Sequence, residues 1–466
     1  MLSRLEKFSP VLTQIEVMCY TMLHHNEKRR NDMILNFQFS NWACYRDEVE
    51  LSMQAGGERE RNHVLSRVGA ISRPVKILPV AAIYGNNASG KSQFVQAISF
   101  LKEFICDECG KDSLLVVPFV LDRKTVDRPT LFALQFVANE MIFEYRLEIH
   151  AMGVLFESLA VFNNRMNGKV ELFRRERNKV KVFEGWGDEK FRAYATNVDL
   201  RPTKSFLSLS YELAASTSKI KQAYEWFSEC LQVIFPESHY SASEHFYAPS
   251  KMTEKVRNYL ERFDIGIDGF SFKNSDLSMF PSDIRRKIDK NLKVGECARI
   301  RSPGDDLYLV CRDKKGRVSV RSMMSVHKTL GGKRIPFLLQ MESDGTKRML
   351  DLIPAFSQLC GLRDNHVYVV DELDRSLHHL VTREFLEDFL AERSGHSRTQ
   401  LIFTTHDLLL MTQSLLRRDE MWLTEKSPDG IAQLSDVGSF QGIRNDKSIL
   451  NLYLGKRMGG VPRGVR

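Results

Sequence analysis

The hydrophobic and polar positions of this chain change period along its length, and the changes mark its elements. From Met33, two short strand-like runs, Ile34 to Phe39 and Glu48 to Met53, lead to a third, Lys76 to Tyr84, which reads as a buried strand ending in a glycine loop. Behind it, Phe94, Ala97, Ile98, Leu101 and Ile105 recur every three or four residues, the stripe of an amphipathic helix. Leu131 to Phe162 alternates apolar and polar residues in short runs, as an antiparallel sheet does. The pattern predicts a βαβ-like core with a strand-rich flank.

The middle, roughly 165 to 335, mixes helical spacing at Ala223 to Phe235 and Lys251 to Phe263 with a hairpin. Its arms are Leu307 to Arg312 and Arg317 to Arg321, joined by the turn Asp313 to Gly316. Sustained heptads are absent from the sequence, which excludes long coiled-coil arms. From Phe337 onward helices again alternate with apolar strands, including His366 to Val370 and Gln400 to Thr404, so the chain is expected to return and complete the sheet it left. Four segments follow: an N-terminal extension at 1–32, with Met33 an alternative start; 33–165 and 336–466 as two halves of one domain; and 166–335 as an insert, a lid or sensor.

Composition narrows the class. With 466 residues and 43% hydrophobic content the chain can bury a large core, which excludes overall disorder. Lys and Arg exceed Asp and Glu by 67 to 59, a formal charge of +8 that leaves DNA open as a partner without demanding it. The eight cysteines form no paired framework and predict free thiols in a reducing compartment. Cys106 and Cys109 make a lone CxxC with no second pair to complete four zinc ligands. Val11 to Leu23, interrupted by Gln14 and Glu16, falls short of the roughly 20 apolar residues that span a bilayer and lacks the features of a secretory signal. A cytoplasmic protein with no membrane partner is expected.

Gly85 to Ser92 reads GNNASGKS, the P-loop pattern, between an apolar strand and an amphipathic helix. Glycines let backbone N–H groups curl around phosphate, the helix N-terminus adds its dipole, Lys91 neutralises the β and γ phosphates and Ser92 ligates magnesium. The cradle is expected to run through Gly85, Asn86, Asn87, Ala88, Ser89, Gly90, Lys91, Ser92 and Gln93. His366 to Glu372, HVYVVDE, is an apolar strand ending in two carboxylates, Asp371 for Mg2+ and Glu372 for the attacking water; the bland alternative is a buried strand with solvated acids at its tip. Gln400 to His406 ends in a histidine able to contact a γ phosphate, though most such histidines are surface residues. Glu342 to Thr346, ESDGT, opens another amphipathic segment. Ser343 and Gly345 there form a second anion-binding edge, or else Ser343 or Asp344 is an ordinary N-cap.

Taken in order, these motifs resemble ABC-type ATPases of the SMC, RecF and OLD-like branch, especially compact bacterial AAA-family ATPases of anti-phage and abortive-infection systems. The resemblance covers most of Met33 to Pro462, including SNWACYRDEVELSM at 40–53, ESDGTKRML at 342–350, DELDRSLHH at 371–379 and YLGKRMGGVP at 453–462. It implies an α/β fold, an ABC/SMC-like head with a P-loop core sheet, an antiparallel β subdomain and an α-rich insert. It also implies ATP and Mg2+ as ligands, with Glu372, His406 and Lys91 catalytic. Ser343 and Gly345 would then face the γ phosphate held by a partner subunit's P-loop, so that hydrolysis requires a head-to-head dimer or a larger homo-oligomer.

Some positions depart from the pattern. His378 stands where ABC proteins carry the D-loop aspartate, Ala43 replaces an arginine common in relatives, and the Q-loop glutamine has only Glu157 as a tentative substitute. Only 60 residues follow His406, too few for the Toprim nuclease of OLD proteins, so the resemblance assigns any cutting to a separate effector such as a nuclease, as in two-gene systems of the PARIS or Septu kind. Three functions follow: an ATP-driven switch in anti-phage defence, a RecF-like ATPase that binds duplex DNA, and a slow-turnover nucleotide-gated scaffold. Glu372 argues against the last, because a scaffold has no need of a water-activating carboxylate.

Overall fold

The computed structural model describes residues 32–58, 65–68, 75–106, 116–162, 168–183, 189–198, 200–212, 218–236, 266–295, 297–301, 307–359, 366–391, 398–440, 449–455 and 458. The chain divides into two compact units, one of Met1–Glu27 and His239–Ser357, the other of Lys28–Ser238 and Gln358–Arg466. The expected extension at 1–32, except Asp32, and the expected helix over 251–263 lie outside the described residues.

The larger unit is built on two sheets. Its antiparallel sheet has the order β10-β9-β8-β7-β6-β1-β2, with β1 Met33–Ser40, β2 Val49–Ser52, β6 Thr130–Ala138, β7 Met141–His150, β8 Gly153–Phe162, β9 Lys169–Glu176 and β10 Lys179–Val182. A two-stranded ribbon of β3 Ser66–Val68 and β4 Val75–Ile77 meets the segment after β2 through a bridge between Ile77 and Gln54. The second sheet has six strands in the order β11-β17-β18-β5-β19-β20. These are β5 Val80–Gly85, β11 Leu231–Ile234, β17 Val367–Val370, β18 Gln400–Thr405, β19 Met421–Lys426 and β20 Ala432–Asp436. All its neighbours run parallel except β19 with β20. The expected α/β class, a P-loop sheet joined to an antiparallel β subdomain, is the one observed.

Burial on both faces explains the composition of the central strands: every residue of β5, β17 and β18 is buried. Helix α1 (Lys91–Cys106) buries the expected stripe of Phe94, Ala97, Ile98, Leu101 and Ile105. The one polar side chain at the start of β18, Gln400, joins the two sheets. Its Oε1 accepts the Ile34 N–H at 2.6 Å and its Nε2 donates to Ile34 O and Leu78 O, both at 3.1 Å. A buried amide placed there satisfies backbone groups that neither ladder uses.

Two expectations are modified. Lys76 to Tyr84 is interrupted at Leu78 and Pro79 and becomes β4 and β5. The helical spacing of Ala223 to Phe235 persists only to a π turn at Trp226–Cys230, after which β11 pairs in parallel with β17. Leu231, Val233 and Ile234 fit both periods, and the edge vacancy beside β17 decides between them. The larger unit also takes in 169–235, which the sequence pattern groups with the insert.

The smaller unit carries an antiparallel sheet, β12 (Gly269–Ser275), β15 (Val318–Lys328), β14 (Leu307–Arg312) and β13 (Cys297–Arg301) in that order, with β16 (Arg334–Leu338) also on β15. The hairpin turn falls at Asp313 to Gly316 as the sequence predicts. A helix, Ser282–Asn291, packs Ile284 and Ile288 against Tyr308, Val310 and Val320. Cys44, Cys106 and Cys230 keep their thiols, but Cys311, in register with Cys297, is disulfide-bonded. That departs from the all-thiol expectation, because register across a hairpin is invisible to linear spacing. Cys109 lies outside the described residues. Among the described residues, no helix is long and apolar enough to cross a membrane.

Candidate functional site

Gly85 ends β5 and Lys91 opens α1, so Asn86–Gly90 spans the carboxyl end of a central parallel strand, where such sheets bind ligands. Space dictates both glycines. A Cβ on Gly85 would lie 2.2 Å from Thr424 Oγ1 and 2.7 Å from Thr424 O, and Gly90 adopts φ +117° with the Tyr45 hydroxyl 2.9 Å from any Cβ. Ala88 is also left-handed, at φ 60°. The surroundings hold the loop in place: Ser89 Oγ is 2.5 Å from Thr424 Oγ1, Tyr45 Oη donates to Gly90 O at 3.1 Å and Trp42 Nε1 donates to Gln93 O at 3.0 Å. Asn86, Ser92 and Gln93 are half-buried, Ser89 is buried, and Asn87 and Ala88 are exposed. The first turn of α1 presents N–H groups that lack i→i−4 acceptors, the donors an anion needs.

Lys91 is 5% exposed, and its Nζ donates to Gly85 O at 2.7 Å and Asn86 O at 2.9 Å. Burial lowers its pKa to about 8, against the opposing pull of Asp371, Glu372 and Asp374. The same Nζ lies 3.5 Å from His406 Nδ1. His406 is itself pushed down from the usual imidazole value, first by burial and then by Lys91.

Asp371 and Glu372 follow β17, and Thr404 of β18 sets them. Its hydroxyl donates to Asp371 Oδ1 at 2.5 Å and accepts the Glu372 N–H at 2.8 Å. The Asp371 N–H donates to Ile234 O at 2.8 Å, so β11 closes the other side. Glu372 sits at φ 48°, a conformation that costs a non-glycine residue about 1–3 kcal/mol and clusters at functional sites. Asp374, which sequence reasoning did not single out, accepts the His406 N–H at 3.3 Å through Oδ2, while its buried Oδ1 has no hydrogen-bond partner among the described residues.

A cavity of about 760 Å³ brings these groups together, lined by the whole P-loop from Asn86 to Gln93 with Glu372 and His406. Its other wall is Ala43, Cys44, the segment Val117–Leu121, Lys426 and Gly430. Val117, Val120 and Leu121 are 46%, 63% and 67% exposed, an apolar shelf of the kind a flat base covers. Asn41 fixes that segment, accepting the Phe119 N–H at 3.1 Å and donating to Thr125 O and Arg128 O at 2.9 Å. Lys426 brings a cation to this wall. No local pattern around Glu425 and Lys426 announces it.

Among the described residues, no cluster of three His, Cys, Asp or Glu side chains could alone hold a metal ion. The donors fit magnesium, which takes one or two protein oxygens and completes its shell with phosphate and water; Ser92 and Asp371 would hold it. Ser343 and Gly345 belong to the smaller unit, at the start of the helix Asp344–Leu359. Ser343 is exposed, and its Oγ accepts the Thr346 N–H at 3.1 Å, so the N-cap is real. Glu157 is elsewhere: fully buried in β8, it accepts from Tyr145 Oη, Ser205 Oγ and the Phe206 and Leu207 N–H groups. It caps the helix Phe206–Glu212 and does not line the cavity.

A family model described as "AAA domain, putative AbiEii toxin, Type IV TA system" matches residues 80–412, from the strand before the P-loop to beyond His406. The chain belongs to this family. The AAA family member also resembles solved structures, among them the SMC head domain from Thermotoga maritima, at 12% identity over 87% of this chain and 98% of that one, with a TM-score of 0.33. Another is the SmcHead bound to the C-winged helix domain of ScpA, at 13% identity over 86% and 97%, with a TM-score of 0.37. No curated protein matches.

Proposed function

We propose that this protein binds ATP with Mg2+ and hydrolyses it as a dimerising conformational switch. One observation carries the reading: Lys91, Glu372 and His406 converge on a single cavity at the carboxyl ends of the parallel strands, with Asp371 held beside them by Thr404. The P-loop N–H groups and Lys91 bind the phosphates, and Asn41 steadies the shelf under the base. Glu372 orients and deprotonates water, and His406, already in contact with Lys91, registers the terminal phosphate. Magnesium, when bound, shields phosphate charge and orients the β and γ oxygens. Ser343 and Gly345 of one protomer cap the nucleotide held by the other; the exposure of Ser343 at a helix start supports that role.

Within the family's setting, whose description names a putative toxin of a toxin–antitoxin system, the switch acts as the sensor or regulator of a bacterial anti-phage system and controls a separate effector. Steady-state ATPase measured against protein concentration tests the reading. Specific activity should rise with concentration and Glu372→Gln should remove it; flat activity in the wild type excludes a dimer-dependent site.

A second reading, an ATPase that holds duplex DNA, is favoured by charge. Residues 239–357 carry 22 Lys and Arg against 15 Asp and Glu, almost the whole excess of the chain. Salt-sensitive DNA binding that stimulates turnover would select it over the defence role.

A further inference from the structure

β15 is the central strand of the smaller unit's sheet, pairing with β12, β14 and β16. Two of its side chains, Ser325 and His327, reach one carboxylate oxygen, Glu342 Oε1, with His327 Nε2 at 2.6 Å and the Ser325 hydroxyl as a second short contact. An ionised carboxylate only accepts, so Nε2 carries the hydrogen and Ser325 donates its own. Ser325 is buried, the Glu342 side chain is 10% exposed, and the His327 ring stands edge-on to Phe337 at 4.9 Å. Glu342 is also pinned through its backbone, donating to Leu339 O at 3.0 Å. The very next residue is Ser343, exposed and capping the helix Asp344–Leu359.

We propose that Ser325 and His327 form a clamp on Glu342 that holds the Ser343 edge where it caps the partner's nucleotide, so that any displacement of the insert sheet is felt at the site. This rests on the dimer reading above. Ser325, His327 and Glu342 are positioning residues; none touches nucleotide. The carboxylate needs its donors because, nearly buried, it has little water to replace them. Whatever engages the sheet therefore acts on hydrolysis through β15, with Glu342 as the link.

Complementation separates the clamp from the reading beneath it. His327→Ala and Glu342→Ala should bind a fluorescent ATP analogue normally at protein concentrations too low for dimers, while kcat at high concentration falls at least about tenfold. His327→Gln, which keeps a donor, should recover most of that loss. Mixed with Lys91→Ala protomers, either alanine variant should regain activity towards about a quarter of wild type, because half of the random dimers carry one intact site of the two. Ser343→Ala mixed with Lys91→Ala is the control. If that control recovers and the Glu342→Ala mixture does not, the clamp alone is wrong. Failure of the control overturns the dimer reading, and the clamp with it. Wild-type turnover by His327→Ala overturns the clamp directly.

Discussion

The hydroxyl of Thr404 donates to Asp371 Oδ1 at 2.5 Å while accepting the backbone N–H of Glu372, so one buried side chain sets both carboxylates of the site. Thr404→Val keeps the shape and removes the hydrogen bonds, leaving a buried carboxylate oxygen unpaired at a cost of about 1–3 kcal/mol. Turnover should fall by roughly tenfold to a hundredfold. Thr404→Ser should retain most activity. Steady-state kinetics with a melting curve on each variant checks both.

The pKa of Lys91, near 8, gives nucleotide affinity a pH dependence of known sign. Phosphate binding requires the ammonium, and the free protein loses it as pH rises through 8, so affinity should drop by up to about tenfold between pH 7 and 9. Fold stability moves the other way. Because the folded pKa lies below the ordinary 10.5, the folded chain holds fewer protons than the unfolded one between those values, and this group's contribution to stability rises with pH there. Titration calorimetry and thermal melts across pH 7–10 separate the two trends.

Gly85→Ala should be among the most damaging single-methyl changes in the chain. The new Cβ would meet Thr424 Oγ1 and backbone O well inside contact distance, and backbone cannot yield as a flexible side chain does. A loss of about 1–3 kcal/mol and of detectable nucleotide binding is expected, measured by denaturant unfolding and by a fluorescent analogue.

Glu157→Ala should separate stability from chemistry. Four donors converge on this buried carboxylate and Arg175 lies 3.5 Å away, so its removal should destabilise the fold by about 3–5 kcal/mol. Turnover per folded molecule should stay at the wild-type value. A selective loss of kcat without a lowered melting temperature would return Glu157 to the site.

The parts legible in the sequence are those whose chemistry is local. GNNASGKS and HVYVVDE carry their meaning within eight residues, and the strands that hold them are apolar because both faces are buried. The rest depends on partners distant in the chain. Thr404 and Thr424 look like ordinary strand residues until β18 and β19 flank β17 and β5, and Lys426 becomes a cavity residue only through the same pairing. β11 hid inside a helical period, and Glu157 offered a carboxylate without revealing that a helix start consumes it. Ser343 is the N-cap that one reading of its sequence offered, and it stays exposed while capping, which is all that the other reading, an anion-binding edge, asks of its position.

Sedimentation of Glu372→Gln with and without ATP shows whether nucleotide joins two protomers through Ser343. The protein should be a 53.7 kDa monomer without nucleotide and a dimer with ATP, and adding Ser343→Ala to the same chain should abolish the dimer while ATP stays bound. A Glu372→Gln protein that binds ATP yet remains monomeric, or a dimer indifferent to Ser343→Ala, would contradict a dimer joined in that way.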